Sequence, residues 1–182
     1  MRKDIRYSCY PFMREKSCLV DYEIRTDSLT TRIGTAITAV HGVEKFNVVL
    51  EDLQIIQPNA YHVNGSVRGK LAITEEDLQW LSNRYDYYVD QVHDDIKQFV
   101  LPQGSEAAVL LHICRSEAKK SYRALHKVSE EREVPEILFD YLGLLANVFF
   151  VMAVYTNRQL GVKEIPFVSK SYPTKKSRKE EI

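Results

Sequence analysis

The sequence has no excess of charge of either sign: 25 Lys and Arg stand against 25 Asp and Glu. A chain that grips nucleic acid or an anionic membrane through its overall field needs a basic surplus, so neither partner is expected. Cysteine is scarce. Cys9, Cys18 and Cys114 are odd in number, far apart and without flanking histidines, which excludes a disulfide framework and leaves no metal-type spacing, so no metal site is expected. There is no long hydrophobic run. The longest apolar stretch, Leu142 to Tyr155, is interrupted by Asn147 and falls short of the roughly 20 residues that a bilayer requires. Met1, Arg2, Lys3 and Asp4 lead into no apolar h-region, which argues against a secretory signal. These absences describe a cytoplasmic, reduced, globular protein, and 182 residues suffice for one core.

What is present is helical periodicity. Leu29, Ile33, Ile37 and Val40 form one stripe of a helix over about 21–40, closed by His41-Gly42. Phe46, Val49, Leu50 and Leu53 share a face of a second over 45–56, which Pro58 should end, with a loop over 59–70. Thr74-Glu75-Glu76-Asp77 resembles a capping box and opens a third, carried by Leu78, Leu81, Tyr85, Tyr88 and Val92 to about Phe99. Ser105 is a good N-cap for a fourth reaching Val128, and Pro135 opens a fifth that ends at Gly161. Residues 71–73 and 165–168 only hint at strand. The expectation is an all-α, five-helix bundle over 1–168, with an irregular segment over 1–20 and a basic, disordered tail over 169–182.

The fourth helix is the most informative. Arg115, Lys119, Tyr122 and Arg123 follow one another at three- and four-residue steps along one face. Arg115 follows His112, Ile113 and Cys114, so its cation needs a carboxylate from a neighbouring helix or an anionic ligand. Spacing favours the carboxylate. His112 reads as a satisfied core histidine and Cys114 as a core thiol. The fifth helix is apolar nearly all round, as a central helix is, with Gly143 and Asn147 forming a small polar notch on it. Tyr85, Tyr87 and Tyr88 read as packing residues.

Phe99-Val100-Leu101-Pro102-Gln103-Gly104-Ser105, followed by Leu111-His112-Ile113-Cys114-Arg115, resembles the F-I-L-P-G-G-S and A-x-L-H-x-x-R strings of PduO-type ATP:cob(I)alamin adenosyltransferases. Tyr141 to Phe150 is similar to the family's Y-L-N-R-L-S-D-x-L-F segment, and Thr26-Asp27-Ser28-Leu29 with Ile33-Gly34 is similar to its T-x-D-E-L…I-G helix. The likeness spans about 22–160. It implies a five-helix bundle, a homotrimer with sites between subunits, and transfer of the 5′-deoxyadenosyl group of ATP to cobalt with release of triphosphate. It also implies that Arg115 pairs with Asp27 across the interface and seats the corrin. Phe99 would push the lower axial ligand off cobalt, and Phe150 would line the corrin pocket. Cobalamin is the implied ligand of Asp27, Phe99, Arg115 and Phe150.

The ATP side departs from the pattern. Residues 1–22 hold no glycine and no T-x-T-G-D-x-G loop, so no flexible backbone cradle for phosphates is visible. The second arginine of the fourth helix is Lys119, which keeps charge but loses the planar fork. The following glutamate is Tyr122, and the family's N-R-x-x-D reads Gly143, Leu144 and Asn147. Lys119, Tyr122 and Asn147 are the remaining candidates for ATP, and Arg115 and Lys119 for catalysis. The implied function is a cobalamin adenosyltransferase-like protein that binds a corrinoid at a subunit interface, with ATP and Mg²⁺ in question. The alternatives are an active divergent adenosyltransferase, and a trimeric scaffold without ligand.

Overall fold

The structure is a computed structural model describing residues 4–171. Five helices make the bundle: α1 Cys18–Val40, α2 Asn47–Ser66, α3 Glu75–Val92, α4 Glu106–Val128 and α5 Glu136–Gln159. The all-α expectation holds. Among the described residues the only extended pairing is a single antiparallel bridge between Val100 and Pro166. The basic tail falls outside the described residues from 172 onward.

Local chemistry explains most helix ends. The Ser17 hydroxyl accepts from the Leu19 amide at the start of α1, three residues earlier than the apolar stripe suggests. At α3 the capping box forms in both directions, with Asp77 accepting from the Thr74 backbone N–H at 2.9 Å. The Ser105 hydroxyl accepts from the Ala108 amide to cap α4.

Two expectations fail. Pro58 does not end α2, which continues to Ser66. Pro58 and Gln54 both face solvent, so water can serve the carbonyl that the ring leaves without its donor. The buried residues Ile56, Ala60 and Val63 keep the helix on the core on both sides of the proline. α3 stops at Val92 and not near Phe99: His93, Asp94 and Asp95 offer no apolar face, and the Asp95 amide closes a turn onto the Val92 carbonyl at 2.8 Å.

α1 packs on α2 and α4, α4 packs on α5, and α5 packs on α3. Asp52 of α2 closes the ring. Its buried carboxylate accepts from Arg84 Nε at 2.8 Å and from the Tyr88 hydroxyl at 2.6 Å, both on α3. Tyr22, Leu29, Ile33, Leu53, Leu81, Leu111 and Phe149 fill the centre. Though α5 is long and apolar enough to cross a membrane by length and composition, residues such as Leu142, Leu145, Val148 and Met152 are wholly buried in the bundle. It is the core helix its pattern suggests.

Candidate functional site

The L-H-x-x-R string of α4 places His112 and Arg115 one turn apart, both facing Phe150 of α5. The Arg115 guanidinium carbon lies 5.7 Å from the Phe150 ring centre, and the His112 ring lies 6.2 Å from it. Arg115 is half-buried, and no carboxylate pairs with it among the described residues. Its Nε is buried without a hydrogen-bond partner. Burial pulls its pKa below the usual arginine range. The neighbouring-helix carboxylate that spacing favours is therefore absent. His112 is buried as expected, but both ring nitrogens lack partners, so it is not a satisfied core histidine. Desolvation, with Arg115 adding to it, lowers its pKa from 6.5 to about 4, and the ring is neutral at pH 7. Cys114 is a buried thiol, its pKa pushed up to about 12 by burial.

This shift fixes a pH dependence of stability. The folded pKa lies below the unfolded one, so the contribution is complete above pH 6.5 and is lost as the pH falls through about 4. Chemical denaturation at pH 7 and pH 4 should show about 3 kcal/mol of acid loss assignable to this ring. His112→Leu should remove that share. An acid loss unchanged in the variant would assign it to other groups.

One turn further along α4, Lys119 and Tyr122 meet Gly143 and Asn147 of α5. The structure brings the three ATP-side candidates, Lys119, Tyr122 and Asn147, into one shallow pocket of about 270 Å³. Tyr122 also packs edge-on against Phe139, with ring centres 5.6 Å apart. Arg123 leaves the row. It turns to a separate groove with Arg25, Lys120 and Lys127 at the α1–α4 seam.

Phe99 is 77% exposed, and its position is set by backbone. The Phe99 carbonyl accepts from the Phe167 amide at 2.7 Å, and the Leu101 amide donates to the Ile165 carbonyl at 2.9 Å. The strand hint at 165–168 becomes this short tie. Asn157, near the end of α5, holds the turn that follows. Its Oδ1 accepts from the Ser105 amide at 2.9 Å and from the Ser105 hydroxyl at 3.1 Å. Its Nδ2 donates to the Gln103 carbonyl at 2.9 Å and to Glu164 at 2.8 Å. Gly104 passes this amide at φ +123°, and a Cβ there would lie 2.6 Å from Asn157 Cγ. Nothing in the sequence marks Asn157 out; only the glycine of L-P-x-G hints at a close approach.

Asp27 lies elsewhere, exposed on the α1–α2 face, and accepts from the Tyr61 hydroxyl at 2.8 Å. It lines a pocket of about 420 Å³ with Tyr10, Met13, Ile24 and Tyr61. Within one chain it does not meet Arg115. The segment before α1 is held over this face by Arg68. That side chain stacks on Phe12 at 3.7 Å and pairs with Glu15 at 2.9 Å and with the buried Glu23 at 2.7 Å.

The fold has known counterparts. A family model described as cobalamin adenosyltransferase matches residues 13–156. The corrinoid adenosyltransferase of Bacillus subtilis (strain 168) is 29% identical over 146 residues, which cover 78% of this chain and 75% of that protein. The cobalamin adenosyltransferase of Cupriavidus metallidurans is 26% identical over 141 residues, covering 76% and 74%. A phenylalanine-to-alanine variant of a PduO-type ATP:corrinoid adenosyltransferase from Lactobacillus reuteri, complexed with cobalamin and ATP, shares the fold. Its TM-score is 0.76 at 20% identity, covering 85% of this chain and 88% of that one. An arginine-to-lysine variant from the same organism, complexed with ATP, aligns with a TM-score of 0.77 at 21% identity, covering 84% and 89%. The family match runs from the segment before α1 almost to the end of α5, and on it the chain belongs to the cobalamin adenosyltransferase family.

Proposed function

We propose that this chain binds a corrinoid at an interface between copies of itself, as a cytoplasmic homotrimer. The observation that carries this reading is the unpaired Arg115 guanidinium. A half-buried cation with a buried, unpartnered Nε is costly unless something supplies its acceptor. Among the described residues the exposed Asp27 carboxylate sits on a different face and accepts from Tyr61. A second copy can bring such a carboxylate to Arg115, closing a site that one chain leaves open. Phe150 supplies an aromatic wall beside it, and Phe99 an exposed ring on a backbone-anchored segment. The corrinoid is the substrate or cargo of this site. Phe99 is the residue we assign to displacing its lower axial base.

A second reading, an active ATP:corrinoid adenosyltransferase, is favoured by the pocket that gathers Lys119, Tyr122 and Asn147 beside this face. Cobalt(I) would attack C5′ of ATP, the C5′–O bond would break, and triphosphate would leave with the bonding pair. Cobalt(I) is a strong nucleophile, so positioning and charge on the leaving group would carry the rate. Lys119 would supply such charge, and a Mg²⁺ brought in with ATP would add to it. The pocket contributes one cation, little for a triphosphate, and this leaves corrinoid binding as the first reading.

Titration of the purified protein with cobalamin and then with Mg-ATP, followed by absorbance and calorimetry, tests both. Cobalamin binding without ATP binding supports a carrier or sensor. Binding of both supports the transferase and calls for an anaerobic adenosylation assay. Binding of neither removes the ligand readings and leaves a scaffold. In the bound protein, Phe99→Ala should abolish the base-off spectral shift. A shift that persists assigns base displacement to another residue.

A further inference from the structure

The groove at the α1–α4 seam gathers more positive charge than the fold uses. Arg25 of α1 and Lys120, Arg123 and Lys127 of α4 line a concavity of about 340 Å³, with Asp21 the one acid among its lining residues. Lys120 is committed to Glu117 at 2.6 Å. Among the described residues Arg25, Arg123 and Lys127 form no ion pair. The carboxylate of Glu131, beside Cys18 of the groove, is also committed. It accepts from the Ser17 hydroxyl at 2.6 Å and from the Cys18 amide at 3.0 Å. Those bonds hold its pKa down at about 2, so it stays charged and ties the chain after α4 to the start of α1. Like charges in one cleft repel, and the walls of a cleft focus their field. A chain of zero net charge that keeps three unpaired cations in one concavity, with the neighbouring carboxylates spent elsewhere, offers a place for an anion.

The geometry narrows the anion. Lys120, Arg123 and Lys127 follow one another at three- and four-residue steps, so they share one face of α4 and span about 10 Å of it. Arg25 lies across the groove on α1. A compact anion such as one phosphate meets only part of this row. A nucleic-acid strand needs a longer track and a basic surplus, which the chain lacks. A short string of phosphates sets its charges along the row, and two guanidinium forks match phosphate oxygens. The groove is separate from the shallow pocket of Lys119 and Tyr122, because Lys119 and Lys120 point about 100° apart around α4. We infer that the α1–α4 groove binds an oligophosphate, free or as the tail of a nucleotide, through Arg25, Arg123 and Lys127. Asp21 opposes that binding. The inference stands independently of the corrinoid reading above.

Calorimetric titration of the full chain with inorganic triphosphate, ATP and phosphate, without Mg²⁺, tests this. The proteins compared are wild type, Arg25→Gln, Arg123→Gln, Asp21→Asn and Lys119→Gln, with the exposed Lys70→Gln as a surface control. Thermal melts accompany the titrations. Triphosphate should bind wild type more tightly than phosphate does, and less tightly as salt rises. Each arginine variant should lose about tenfold in affinity, Asp21→Asn should gain, and Lys70→Gln should match wild type. If an arginine variant does not fold, Lys127→Gln carries the same comparison. ATP that competes with triphosphate assigns the groove to a nucleotide tail, and ATP that does not compete assigns it to a free oligophosphate. Triphosphate that fails to bind wild type, or that binds the folded arginine variants as tightly as wild type, overturns the site. A loss in Lys119→Gln as large as in the arginine variants places the anion between α4 and α5 and overturns it as well. None of these outcomes bears on cobalamin binding, so the two readings fail separately.

Discussion

Gly104→Ala should destabilise the protein by about 3 kcal/mol and release the segment that carries Phe99. Two costs combine. At φ +123° a side chain is strained wherever it points. The new Cβ would also collide with the Asn157 amide, which serves Ser105, Gln103 and Glu164 at once. To make room, Asn157 must give up bonds inside the bundle, where it is almost wholly buried. Denaturant unfolding of Gly104→Ala, Asn157→Ala and the double variant checks this. The two changes share a cause, so the double variant should be more stable than the sum of the single losses predicts. Strict additivity would mean that the turn and the amide act independently.

Arg115→Ala should act in the opposite sense on fold and function. Among the described residues the guanidinium has no carboxylate partner to lose, only the Phe150 ring beside it, and its Nε is a buried donor without a hydrogen bond. The variant should therefore keep, or slightly raise, the melting temperature of the dissociated chain. On the function proposed above, corrinoid affinity should fall about a hundredfold, as when one partner of a desolvated charge pair is removed, and the proposed trimer should weaken. Sedimentation at several protein concentrations, with absorbance titration on the same samples, measures both. An unchanged assembly with unchanged affinity would detach Arg115 from the site altogether.

Much of this was legible before the fold was known, and the residues show why. Periodicity is a backbone-scale signal, so the stripe of Leu29, Ile33 and Val40 located α1. Side-chain caps are local, so Thr74, Asp77 and Ser105 placed two helix starts. Pro58 misled because a proline ends a helix only where the freed carbonyl has no other partner, and exposure cannot be read from one residue. The grouping of Lys119, Tyr122 and Asn147 followed from the resemblance, and the fold places them in one pocket. Arg123 was misassigned because its one-step offset from Tyr122 carries it around α4 to a different groove. The unpaired state of His112 and Arg115 and the part played by Asn157 depend on what the surroundings fail or manage to supply. No spacing in one sequence reports that.

The tie between 99–101 and 165–167 has a consequence for how the protein can be handled and studied. It closes α4 and α5 into a loop pinned at its neck, so the Phe99 ring and the residues after the last helix form one mechanical unit. Labels, tags or cuts placed near Phe167 act on Phe99 directly, although the two are far apart in sequence. A spectroscopic probe at Val168, which is 77% exposed, could therefore report occupancy of the site without touching any residue in it.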